Sequence, residues 1–561
     1  MKNKIILIFI FLLAFILRFY QLGNIPLGLQ QDETSIGYNA YSILLTGKDE
    51  YGLSYPLYFK AFGEYKLPLY IYLSVIPVKL FDLNSFSVRF VAALFGFLTV
   101  FVFYFFVKDI FINHNRNLPM VATLFLALNP WHLFFSRGAF EVTPALFFII
   151  TGLFVINKSL SKNREYLLPF GIVIFFASIY TYNIARLFSP ILFIVLIYEL
   201  RHELLIKSKK ILSISSIALF LSLLPFILNI FTKGGLEAAK GTLIFSSAVV
   251  QAPLLEFRSY FLGYPLQAKL FFNSFFLTLW QYINNIISYM SVPFLFIDGS
   301  MHGNHGIGNF GQFYIFELPL IFFGIMKILK DKNKWGYFML IWSSIVILVA
   351  SLTREVPQAT RSFFLIIPFE IFSAFGLLIL IDWVKKIKNF KYQFALATFF
   401  ILFAFYDLIF YFSSYYVRFP ILYAKSWRLE DKDLSLYIKQ NEYKYNRIIF
   451  DNNAGFIYTS YLFYSKYFPL YFQISQERYP DDSEGFAMVQ SFGKFEFKNI
   501  DWSNDYKEPK TLIVTTPDKK PDNISPLKIF YYPRRPVYFA VKQKVVGYPI
   551  EEIAYVLVET K

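Results

Sequence analysis

RFYQLGNIPLGLQQDETSIGYNAYSILLTGKDEYGLSYPLYFKAFGEYK, residues 18–66, follows directly on the first apolar run of the chain at 5–17. It carries the adjacent acids Asp32 and Glu33 and, further on, Glu64. Only 16% of the residues are charged and 56% are hydrophobic, so carboxylates have few places to sit. An acidic loop pressed against a membrane surface is where chemistry is sought first.

The composition around that loop supports a membrane setting. Over 561 residues the mean hydropathy is +0.47 and aromatics reach 21%, more apolar surface than a soluble chain can cover. The expected class is a mainly α, polytopic helix bundle. The formal charge of +16 would suggest nucleic acid in a soluble chain. Here the lysines and arginines sit in short loops between apolar runs, where the positive-inside rule puts them, so no nucleic-acid partner is expected. There is no cysteine, which excludes disulfides and thiolate chemistry.

Read in order, apolar runs at 5–17, 86–107, 119–135, 142–156, 166–180, 187–200, 211–231, 313–329, 336–352, 362–383 and 394–412 give about eleven spans. The run at 67–83, with Pro68, Pro77 and Lys79, reads as a pair of interfacial helices. A long loop is expected over 232–312. Lys108 and Arg116, then Lys158 to Arg164, Arg201 to Lys210, Lys327 to Lys334 and Lys385 to Lys391 fall in every second loop. This places the N-terminus in the cytoplasm and residues 18–66 outside. A transmembrane domain over 1–413 is then followed by an extracytoplasmic α/β domain over 414–561, where RIIFDNN, TLIVTTP and YFAVKQKVV read as strands.

Arg18, Arg89, Arg137, Arg186, Arg354 and Arg361 all fall near expected outer ends of spans, where the positive-inside rule does not explain them. Singly each reads as a snorkelling anchor or ion pair; as a group beside an acidic loop they suggest a site for an anionic lipid head group. Asp32 and Glu33 read either as first-turn acids of a helix or as catalytic carboxylates, with Glu33 and Glu64 tuning Asp32. His302 and His305, three apart in DGSMHGNHGIGNFGQ, suggest a substrate-covering loop more than a divalent metal site, which needs further ligands. Arg137 and Glu141 are spaced to pair along a helix, and YTYNIAR places Tyr182 and Arg186 at an outer span end.

RFYQLGNIPLGLQQDE, FGEYKLPLY, SFSVRFVAALFGFLTV, NPWHLFFSRGAFE, YTYNIARLFSP and ATRSFFLIIPF, in this order, resemble the family 39 glycosyltransferases. These include protein O-mannosyltransferases and bacterial lipid A aminoarabinose transferases, with the membrane-embedded C-type glycosyltransferase fold. The resemblance covers about 5–385. It implies a polyprenyl-phosphate-sugar donor in the plasma membrane and inverting transfer to an extracytoplasmic lipid, glycan or protein. By that likeness Asp32 is the base, Glu33 and Glu64 assist it, and Arg89, Arg137, Arg186 and Arg361 neutralise the leaving phosphate. Arg354, Glu141, Tyr182, His302 and His305 complete the expected substrate-binding set. Many relatives carry Asp where this chain has Glu141. No nucleotide cofactor is implied. The rivals are a non-enzymatic flippase, which calls for ionisable residues at mid-bilayer, and an oligosaccharide ligase or oligosaccharyltransferase of the same fold class.

Overall fold

A computed structural model of the chain describes residues 2–61, 64–112, 114–230, 243–244, 247–261, 265–300, 302–451, 457–481, 487–533, 535–541 and 544–560. The fold is mainly helical. In chain order it begins with α1 (Lys2–Phe19), α2 (Gln31–Thr46), β1 (Phe59–Ala61), β2 (Glu64–Lys66), α3 (Pro68–Phe81), α4 (Ser85–Ile110), α5 (Leu118–Leu128) and α6 (Pro130–Phe135). Two compact units result. One joins Met1–Tyr20, Ala92–Ser136 and Phe140–Tyr411; the other joins Gln21–Val91, Arg137–Ala139 and Phe412–Lys561. Contacts thus place segment 21–91 with the tail rather than with the spans that the boundary at 413/414 grouped it with.

In the first unit, described helices long and apolar enough to cross a bilayer cover Val142–Ser159, Lys209–Leu228, Lys334–Ser351 and Ala359–Lys385. With α4 and Phe390–Leu422 they make six such helices among the described residues, and the chain is a multi-pass membrane protein. The run expected as one span over 119–135 is instead broken into α5 and α6. Pro130 cannot continue a helix and drives Asn129 to φ −54°, ψ 126°, while the Asn129 side chain accepts from the His132 N–H at 2.7 Å and starts α6. The expected loop over 232–312 is partly helical, with Ser247–Ser259, Pro265–Phe271 and Ser274–Tyr289. Asn273 caps the last of these by accepting from Phe276 N–H at 3.0 Å.

Helices Glu317–Asp331 and Ile366–Lys385 pack through glycine. A Cβ on Gly324 would lie 1.9 Å from the Phe372 carbonyl oxygen, and one on Gly376 would lie 2.0 Å from that of Leu320. Gly376→Val is therefore expected to cost at least about 1–3 kcal/mol, because backbone cannot yield as a side chain would. A melting temperature in detergent equal to that of the wild type would refute this packing.

The second unit is built on a mixed seven-stranded sheet. Its strands are β3 (Arg447–Asp451), β4 (Glu477–Arg478), β5 (Val489–Phe492), β6 (Phe495–Lys498), β7 (Thr511–Thr515), β8 (Lys528–Tyr531) and β11 (Ile553–Glu559), in the order β4-β5-β6-β3-β7-β11-β8. Strand β3 is parallel to both β6 and β7, and β9 (Arg535–Val541) with β10 (Lys544–Ile550) forms a separate hairpin. Of the segments read as strands, RIIFD and TLIVT form β3 and β7, and YFAV and KVV fall on the paired β9 and β10, while residues 452–453 and 542–543 lie outside the described residues. Ile448, Phe450, Leu512 and Val514 point to a core shared with Tyr461, Phe492, Phe495 and, from α2, Tyr38. The Tyr38 hydroxyl donates to the Tyr467 carbonyl at 3.1 Å. The expected interfacial pair at 67–83 is the single helix α3: Pro68 occupies its first turn, where a missing N–H costs nothing, and Pro77 is carried inside the helix without ending it.

Candidate active site

Helix α2 positions both acids of the first loop. Its N-cap, Gln30, is extended, and Gly47 ends it at φ +68° with its N–H donating to the Ile43 carbonyl at 2.9 Å. Asp32 and Glu33 stand adjacent in the first turn but meet opposite environments.

Glu33 is buried and accepts four hydrogen bonds. They come from Gln30 N–H (3.1 Å), Ala139 N–H (2.9 Å) and two arms of Arg89, Nε at 2.9 Å and Nη2 at 3.1 Å. Arg89, fully buried, also donates from Nη1 to the carbonyls of Leu22 (3.2 Å) and Pro26 (2.8 Å) and from Nη2 to that of Gly28. Its five donors are thus filled by the chain itself, so the guanidinium expected at a phosphate ties residues 22–33 together instead. The Gly28 position is equally closed: a Cβ there would fall 1.8 Å from the Trp427 carbonyl oxygen. Arg137 is also turned inward. Nε donates to the Tyr415 hydroxyl (2.9 Å), Nη2 to the Ile25 carbonyl (3.3 Å), and its guanidinium lies 5.3 and 5.5 Å from the ring centroids of Tyr415 and Tyr416.

Asp32 faces outward. Its side chain is 52% exposed, while its partner, Lys66 Nζ at 2.8 Å, belongs to a side chain only 3% exposed. A buried cation therefore holds an accessible carboxylate at the end of β2. Glu64 opens the same strand, its backbone paired with Ala61; its side chain lies outside the described residues. Glu33, engaged with Arg89, is placed to hold the loop rather than to tune Asp32.

A second pair of acids, not singled out in the sequence, closes the loop. Asp49 and Glu50 are buried, with the Glu50 N–H donating to Asn39 Oδ1 (3.0 Å) and its carbonyl accepting from Gln476 Nε2 (2.7 Å). Burial pushes the Glu50 carboxyl up to about 7 against the pull of Arg478, with Asp49, Tyr458 and Lys66 also facing it. The folded state therefore binds a proton that the unfolded chain has released above its ordinary range. Stability from this group is present below about pH 4.5 and is lost as pH rises towards 7. Glu50→Gln is expected to flatten that slope in melting temperatures taken across the window; an unchanged slope would assign it to another group.

In the membrane unit, Tyr182 shares a hydrogen bond with Thr360 and feels the charges of Arg361 and Glu141, so three of the expected residues converge. Arg361 pairs with Glu355 (3.5 Å) and donates to its carbonyl (3.1 Å). Arg354 donates to the Leu243 carbonyl (3.4 Å), and Arg186 donates to that of Ile179 (3.4 Å) with its guanidinium 5.4 Å from the Phe226 ring centroid. Arg18 is fully buried: it meets His132 Nδ1 at 2.7 Å and donates to the carbonyls of Ala14, Ala127 and Leu126. It satisfies carbonyls at the end of α5 instead of a head group. His302 is exposed, and its ring lies 6.5 Å from that of His305, which packs against Phe140. Among the described residues no group of three or more His, Cys, Asp or Glu side chains is placed to hold a metal ion.

Residues 66–228 match the family model described as dolichyl-phosphate-mannose-protein mannosyltransferase. Apo ArnT from Cupriavidus metallidurans is similar over 100% of this chain and 98% of its own, with TM-score 0.53 at 12% identity. ArnT bound to undecaprenyl phosphate gives 0.52 at 13% identity, over 98% and 97%. The chain has the C-type glycosyltransferase fold. The oligosaccharyltransferase AglB from Archaeoglobus fulgidus, in complex with an inhibitory peptide and a dolichol-phosphate, shares this C-type fold at TM-score 0.50 and 13% identity. It is matched over 83% of this chain and 63% of AglB, so this chain spans less than two thirds of AglB's length. No curated protein matches the sequence significantly. Within the C-type fold the family match opens at Lys66, the residue that holds Asp32, and runs on through Arg89, Arg137, Glu141, Tyr182 and Arg186.

Proposed function

We propose that this protein is an integral membrane glycosyltransferase that moves a sugar from a polyprenyl-phosphate carrier to an acceptor outside the cytoplasm. The observation that carries the reading is the accessible Asp32 carboxylate anchored by buried Lys66. Asp32 takes the proton from the acceptor hydroxyl or amine. The acceptor's electron pair then attacks the anomeric carbon from the face opposite the carrier, the bond from that carbon to phosphate oxygen breaks, and polyprenyl phosphate leaves with the bonding electrons. Configuration inverts. Lys66 is the cation beside the developing charge, and the Tyr182–Arg361–Glu141 cluster is a further substrate-binding candidate. The undecaprenyl phosphate in ArnT and the dolichol-phosphate in AglB support a carrier of this class. In this reading the N-terminus is cytoplasmic, while the first loop and the tail lie outside.

The likeness to AglB favours, as a second reading, transfer of a longer glycan. Purified protein in nanodiscs, given labelled polyprenyl-phosphate monosaccharides or oligosaccharides with candidate acceptors, distinguishes the two by which carrier is discharged. Movement of the lipid between leaflets with no sugar released would instead install the flippase.

A further inference from the structure

We infer that the tail carries a saccharide-binding cleft between helix Leu429–Asn441 and strand β8. A cavity of about 380 Å³ opens there, lined by Glu430, Asp433, Tyr437, Gln440, Lys528 and Tyr531 among others. That volume is in the range of small-ligand pockets. None of these residues belongs to the Asp32–Lys66 site, so the inference stands whether or not that site transfers sugar.

The lining selects the ligand by chemistry. Tyr531 is 49% exposed, offering a ring face on which an apolar sugar face can rest, and half-buried Tyr437 lines the cleft with it. The ammonium of Lys528 already lies 4.0 Å from the Tyr437 ring centroid, so a cationic guest would meet a cation. An anionic guest would meet the Asp433 carboxylate. A neutral, hydroxyl-rich ligand avoids both conflicts.

Glu430 supplies the unmade bond. The residue is 6% exposed, and its Oε2 is buried with no hydrogen-bond partner among the described residues. Its neighbour Asp431 is satisfied, accepting from Arg428 (2.6 Å), Ser460 (2.8 Å) and Tyr555 (2.8 Å). That oxygen is closed to water in this structure although its residue lines the cleft, so a guest meets it when the side chain turns outward, a turn that a buried oxygen without a partner favours. Burial, with the charge of Asp431 beside it, pushes the Glu430 carboxyl up to about 8. Protonated at neutral pH, it can both donate and accept, which is what a sugar hydroxyl requires. Gln440 adds an amide with the same double capacity.

The test is saturation-transfer difference NMR on the full chain in nanodiscs, with mannotriose, chitotriose and lactose as probes. At least one is expected to receive saturation on its ring C–H protons, with millimolar affinity. Tyr437→Ala should abolish the effect. The surface double variant Asp433→Ala/Gln440→Ala, which removes no core contact, should weaken binding several-fold without moving the melting temperature. Absence of transfer to all three probes overturns the proposal, as does transfer that both variants leave unchanged. Loss in Tyr437→Ala alone, accompanied by a lowered melting temperature and normal binding in the surface variant, overturns it too.

Discussion

Asp32→Asn is expected to leave a folded protein that still binds its donor and turns it over about 10²–10⁴-fold more slowly. The amide keeps the shape of the carboxylate and can still accept a hydrogen bond from Lys66, now at 2.8 Å from Asp32 Oδ1. The side chain is half exposed, so little of the fold depends on its charge. What the amide loses is the ability to take a proton. The measurement is single-turnover release of labelled sugar, set beside donor binding by the same sample. Full turnover in the variant would remove Asp32 as the base and direct attention to Glu64. Slow turnover together with lost donor binding would make Asp32 a ligand instead.

Arg89→Ala is expected to act on the fold before it acts on the chemistry. It leaves Glu33 buried with a carboxylate that has lost two of its four donors, and it strips the carbonyls of Leu22, Pro26 and Gly28 of theirs. Breaking a buried pair in this way costs about 3–5 kcal/mol. Melting in detergent and protection of residues 22–33 from hydrogen exchange should both fall. Replacing the two partners together, Glu33→Leu with Arg89→Met, should recover part of the loss, since no charge is then stranded. A variant that melts like the wild type but binds donor poorly would return Arg89 to the role of phosphate ligand.

What the sequence revealed and what it concealed have separate physical causes. Hydropathy places an arginine at the end of an apolar run, and the six arginines near span ends were legible for that reason. Their partners were not. Arg137 is held by Tyr415 and Tyr416, and Arg18 by carbonyls freed where Pro130 breaks a span; neither relation has a local signature. Asp32 and Glu33 look alike in sequence and differ only because one carboxylate faces Arg89 and Ala139 while the other faces solvent. Lys66 carries little signal within FGEYK, because its importance lies in being buried, and the sequence shows only a lysine abutting the apolar run that begins at Leu67. The tail's strands were visible as short alternating runs. That the first loop would join their core was not, since Tyr38 and Leu434 are far apart in the chain.

That last contact orders events during synthesis. Tyr38 leaves the ribosome long before the strands that cover it, and the backbone around Asp49 and Glu50 waits for Gln473 and Gln476. The nascent first loop must therefore stay unfinished, its aromatic residues open to chaperones and proteases, until the sheet around β3 exists. Assembly of the candidate catalytic loop becomes a report on the completeness of the polypeptide: a prematurely terminated chain could insert its helices yet never lock Asp32 in place.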